Sequence, residues 1–131
     1  MKQTLLVLVA ASALALTACT KSADSLRKQA AEIVTEQGTV PADRFDEAVD
    51  LYEEILDRAI PAFENINLET GDGMEEAAKL SDAMETIHGG IYTTLDKCED
   101  RSVLLSEEAA KRIEEKEKKF EEAYHGFMFG K

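Results

Sequence analysis

The sequence predicts an all-α fold: a small antiparallel bundle of three to four helices. Three observations lead there. From Leu26 onward the apolar residues recur at spacings of three and four, the period of one face of a helix. No stretch sustains the apolar–polar alternation of a half-buried strand. The gaps between the four periodic segments are short, which sets successive helices antiparallel.

The first helix is expected over residues 24–37, with Leu26, Ala30, Ile33 and Val34 on its buried side and Gly38 ending it in a left-handed conformation. Pro41 then opens the second. There Phe45, Val49, Tyr52, Leu56, Ala59, Phe63 and Ile66 run down one face with Asp and Glu opposite. Pro61 interrupts this stripe. A proline inside a helix removes a backbone hydrogen bond and crowds the preceding turn, and the persistence of the stripe to Ile66 favours a kink over a stop. Residues 65–73, rich in Gly, Asp, Asn and Thr, are turn chemistry and form the next loop.

A third stripe passes through Ala77, Leu80, Met84, Ile87, Ile91, Leu95 and Cys98, crossing Gly89-Gly90 without losing phase. Continuous phase predicts one helix. Two glycines in mid-helix cost about 2 kcal/mol relative to alanines, which calls for a neighbouring helix packed closely against the bare backbone or for a hinge. The fourth helix starts after Ser106 as N-cap, with Glu107 and Glu108 in the first turn where the helix dipole favours negative charge. Leu105 is placed to staple onto Ala110. Ala109, Ile113, Phe120, Ala123 and Phe127 form its buried seam, while Glu114 with Lys118 and Glu115 with Lys119 are pairs four apart. The charge run over residues 114–122 reads as a solvated face.

The composition narrows the function. The 131 residues form one domain, and 15 Lys and Arg against 27 Asp and Glu give a net charge of −12. Such a chain is repelled by phosphate backbones, so nucleic acid is disfavoured as a partner. With no Trp, two His and two Cys, the chain supplies few groups for a catalytic pocket, and no nucleophile-elbow, P-loop or dinucleotide-binding pattern occurs, so the reading is non-enzymatic. His88, His125 and Cys98 stand without the spacing of a metal site. Residues 65–76 have the length of a calcium loop, yet glycine sits at the seventh place rather than the sixth and the first ligand would be Asn, so an EF-hand is rejected. No cofactor is expected.

The N-terminus has a different character. Lys2 precedes an apolar run over residues 5–16, too short to cross about 30 Å of hydrocarbon and of the length of a secretory leader. The residues that follow, Leu16-Thr17-Ala18-Cys19, resemble the lipobox of bacterial lipoproteins. The resemblance covers residues 1–19. It implies that residues 1–18 are a cleaved signal peptide and that the Cys19 sulfur takes a diacylglyceryl group, with the new amino terminus acylated. Two or more chains hold a protein firmly where one does not. Thr20 stands where an Asp would signal inner-membrane retention. The resemblance therefore points to the periplasmic face of the outer membrane, with the inner membrane as the alternative. The leader contains Lys2 and no acid, so its removal leaves 113 residues with 14 cationic side chains against 27 acidic ones. Residues 19–25 would comprise the lipidated Cys and a short polar tether, and residues 26–131 the acidic helical bundle.

Three roles fit such a chain. The first is a membrane-anchored, non-enzymatic binding or structural adaptor that contacts another envelope protein, with Phe127, Met128 and Phe129 either tucked against the bundle or left as a docking tail. The second is an inhibitor or immunity-type protein whose acidic surface meets a cationic protein. The third is a small-ligand or cation carrier using the interior around Met84, His88 and Gly89-Gly90. Cys98 reads either as a small buried side chain at a helix end or as a thiol for an intermolecular disulfide.

Overall fold

The computed structural model describes residues 22–130. The expected signal peptide over residues 1–18, the lipobox-like Leu16-Thr17-Ala18-Cys19 and the first part of the expected tether lie outside the described residues, as does Lys131. The fold is an all-α bundle of four helices: α1 Ala23–Ile33, α2 Phe45–Glu64, α3 Met74–Asp96 and α4 Glu107–Phe129.

Helix α1 starts within the expected tether. The Ser22 side chain accepts a hydrogen bond from the Ser25 N–H at 3.1 Å, satisfying one of the free donors of the first turn, and Asp24 adds favourable charge there. The helix also ends four residues early, at Ile33 rather than 37. The Thr35 N–H donates to the Thr39 carbonyl at 2.8 Å and the two threonine hydroxyls pair at 2.9 Å, so a compact turn replaces the last helical one. Gly38 is left-handed as expected, with φ of +77°, but inside this turn rather than at the helix end.

Pro41 leads into one 3-10 turn, Ala42–Arg44, from which α2 emerges. The helix runs through Pro61. Its next turn is intact, with the Asn65 N–H donating to the Pro61 carbonyl at 3.0 Å, and the proline sits exposed. Phe45, Val49, Tyr52, Leu56, Ala59 and Phe63 are all buried. Ile66 lies past the helix end, half-buried.

Helix α3 is continuous through both glycines. What packs against the bare backbone is the turn after α1, not a helix. A Cβ built on Gly90 would stand 2.7 Å from a methyl of Val34 and 3.1 Å from one of Val40, whereas Gly89 faces open space. The turn is latched there by Thr94, whose hydroxyl donates to the Gly90 carbonyl at 2.7 Å and accepts the Val40 N–H at 2.7 Å. Cys98 falls just beyond α3, half-buried, its N–H donating to the Leu95 carbonyl. It is not on the helix, and its thiol is unpaired. Ser106 caps α4 as expected, accepting from the Ala109 N–H at 3.2 Å.

Successive helices run antiparallel, but their order across the layer is α1, α3, α2, α4. Partners show the directions. Asp24 meets Lys79, Arg27 meets Asp82 and Val34 meets Gly90, so α1 runs parallel to α3. Arg58 meets Glu76 and Tyr52 meets His88, so α2 is antiparallel to α3. Glu53 meets Arg112 and Phe63 meets Phe127, so α4 is parallel to α2. The main core lies between the helices around Leu26, Tyr52, Ile55, Leu80, Ile87 and Ile91, and a smaller cluster of Phe63, Ala77 and Ala123 fills the end where α2 finishes.

An ionic seam joins α4 to α2. Glu53, its side chain 12% exposed, accepts from Arg112 at 3.2 Å and Lys116 at 3.1 Å, and Lys116 also reaches Asp57. Among the described residues the ion pairs of the α4 cations Arg112 and Lys116 thus cross to α2, rather than running along α4 from Glu114 to Lys118. Desolvation would raise the Glu53 carboxyl, but the hydrogen bonds from Arg112 and Lys116 outweigh it and hold the group below its ordinary value. A lowered folded-state pKa contributes stability above the unfolded carboxylate range and loses it as pH falls through the folded value. Glu53→Gln is therefore expected to lower stability by on the order of 1 kcal/mol or less at pH 7. Urea midpoints taken on both proteins from neutral to acidic pH should converge below about pH 4; a constant gap would contradict the assignment.

Candidate interaction surface

The C-terminal trio is split by the structure. Phe127 turns inward, its ring edge-on to Phe63 at 5.6 Å, and it is half-buried with Ile66 and Phe120. Phe63 gathers the aromatic side chains of α4, with Phe120 at 5.3 Å and Tyr124 at 5.5 Å, both edge-to-face. Met128 and Phe129 point outward, 52% and 75% exposed. His125 lies one turn before the helix end. Helix α4 continues past Gly126 to Phe129, and the imidazole lies beside the Phe129 ring at 5.4 Å.

Met128 and Phe129 have company that the sequence reading missed. Leu68 is 67% exposed in the α2–α3 loop, and Met74 is exposed at the start of α3. Because α2 and α4 both finish where α3 begins, these side chains share one end of the bundle. Phe63, Ile66, Leu68 and Phe127 line one groove there, and Ile66, Met74, Ala77 and Phe127 an adjoining one. Of the large apolar side chains left exposed among the described residues, Leu68, Met74, Tyr124, Met128 and Phe129 lie at this end, and Val103 stands at the opposite end. The legible signal was a leucine and a methionine placed among turn residues, where no helical stripe needed them.

A second constellation went unread. Glu117, in the supposed solvated run, reaches into the space between α2, α3 and α4. It accepts from the Tyr52 hydroxyl at 2.5 Å and from the Tyr92 hydroxyl at 3.4 Å, with the His88 Nε2 at 3.9 Å. The His88 ring stacks on Tyr92 at 4.5 Å and meets Tyr52 edge-on at 5.8 Å. Burial, then the Glu117 carboxylate, push the Tyr52 phenol far above its ordinary value and the Tyr92 phenol up to about 12. Both phenols stay protonated near neutral pH and act as donors, so the cluster clamps three helices. The signal was phase: Glu117 lies four residues after Ile113 and three before Phe120, on the buried side.

The interior proposed for a carrier is filled. Val34 and Val40 occupy the space beside Gly90, Met84 is buried, and His88 and Gly89 face outward. Among the described residues no cluster of three or more His, Cys, Asp or Glu is arranged to hold a metal ion, and every buried side-chain polar atom has a partner. No helix of the described residues is long and apolar enough to cross a membrane. Compared with family models, curated proteins and solved structures, the chain matches none.

Proposed function

We propose that this chain is an envelope lipoprotein, tethered through Cys19, whose bundle serves as a non-enzymatic binding or structural adaptor with its apolar end as the contact surface. The observation that supports this reading is positional. Ser22, the N-cap of α1, follows Cys19 by three residues and lines one depression with Gly71, Gly73 and Glu75 at the start of α3, the same end that exposes Leu68, Met74, Met128 and Phe129. Tether and contact surface then work on the same side of the molecule. The lipobox resemblance and Thr20 favour the outer membrane as the site of attachment.

Two measurements test the proposal. Mass spectrometry of the native product is expected to find residues 1–18 removed and Cys19 lipidated; an unmodified thiol or a retained leader removes the anchoring. A photo-crosslinking side chain at Met128 in intact cells is expected to capture an envelope component, and one at Glu115, on the exposed side of α4, is expected not to. Equal capture from both positions would remove the apolar end as the contact surface.

A further inference from the structure

We infer that the occupant of the apolar end is the lipid surface itself, so that the bundle stands end-on against the bilayer that its tether enters. The inference rests on the proposed anchoring at Cys19. Ser22 follows Cys19 by three residues, and three residue steps span at most about 10 Å. An acylated Cys19 therefore confines the start of α1 to the head-group region. Ser22 is not at the far end of the molecule from the exposed apolar side chains. It lies beside residues 71–75, in the loop and first turn that also contain Leu68 and Met74, and α4 delivers Met128 and Phe129 to this end. A body so tethered has its apolar end within reach of the interface where amphipathic surfaces seat, roughly 5–10 Å into the head-group boundary.

The charges select among lipids. Asp24, Glu64, Glu69, Asp72, Glu75 and Glu76 are exposed at this end. Lys79 on α3 pairs with Asp24 at 3.0 Å and Glu75 at 3.3 Å, and Arg58 on α2 with Glu76 at 3.2 Å, so among the described residues the carboxylates of this end still outnumber the cations that meet them. An anionic surface repels such a rim while a zwitterionic one does not. The surface is therefore a zwitterionic lipid face, contacted by apolar side chains alone.

The chain contains no Trp, so a single introduced tryptophan reports its own surroundings. The native product carrying Phe129→Trp, and separately Val103→Trp at the opposite end, is reconstituted with phosphatidylcholine vesicles and with vesicles rich in phosphatidylglycerol. Expected is a shift of the residue-129 emission to shorter wavelength with quenching by brominated phosphatidylcholine, a smaller shift on the anionic vesicles, and no shift at residue 103. A product that co-sediments with vesicles but leaves residue 129 water-exposed overturns the seating and keeps the anchoring. Equal shifts at both positions overturn the end-on orientation. A blue-shifted residue 129 before vesicles are added, with a dimeric mass, shows a second copy on this end and overturns the lipid assignment. A product whose Cys19 is unmodified and that does not co-sediment overturns the anchoring, and the inference with it.

Discussion

Ile87→Ala is expected to lower the unfolding free energy by about 2–5 kcal/mol, the largest effect of any single change considered for this bundle. Ile87 is fully buried on α3, the helix that packs against α1 on one side and α2 on the other. Truncation removes buried methyl and methylene groups and leaves a cavity that two neighbouring helices would have to move to fill. Against a total stability of about 5–15 kcal/mol for a domain, the loss is a large fraction. Urea denaturation followed by circular dichroism reads it directly, with a shifted midpoint at unchanged slope. A loss below about 1 kcal/mol would contradict a close-packed α3.

The two adjacent glycines of α3 give the second test. Gly89→Ala and Gly90→Ala gain the same helix propensity, about 1 kcal/mol each, so their difference isolates what the new methyl meets. At residue 89 it meets nothing within 4 Å, and the variant is expected to be more stable than the parent. At residue 90 it stands 2.7 Å from a methyl of Val34, a β-branched side chain with little rotamer freedom. Overpacking of this kind costs about 1–3 kcal/mol, so Gly90→Ala is expected to fall below Gly89→Ala by that amount. Thermal or urea midpoints of the two variants decide the matter. Equal stability would mean that the turn over residues 34–40 is not seated on α3.

The contrast between those glycines also marks how far the sequence could be read. The helical period located all four helices because the stripes on α2 and α3 are long, and a face of six or seven apolar positions admits little ambiguity. Ser106 was legible as a cap because its chemistry is local. The end of α1 was not, since Thr35 and Thr39 bond to each other across a turn that no helical pattern announces. Gly89 and Gly90 are identical in sequence, and only the turn packed on one of them tells them apart. For the contact surface, Phe127 to Phe129 were visible as a cluster, but which of them faces inward depends on Phe63, sixty-four residues earlier. Glu117 was hidden by its neighbours: in a run of charges a single carboxylate on the buried side looks like the rest.

The interleaved order of the helices bears on how the chain assembles and loosens. Helices α2 and α3 are joined by the short loop over residues 65–73 and pack on each other, so their pairing needs little loop-closure entropy. Helix α1 then docks mainly on α3 and α4 mainly on α2, with no extensive packing between α1 and α4. The molecule is in this sense a central hairpin with two separate flaps. Each flap can fray while the other stays shut, and amide protons in the hairpin outlast those in either.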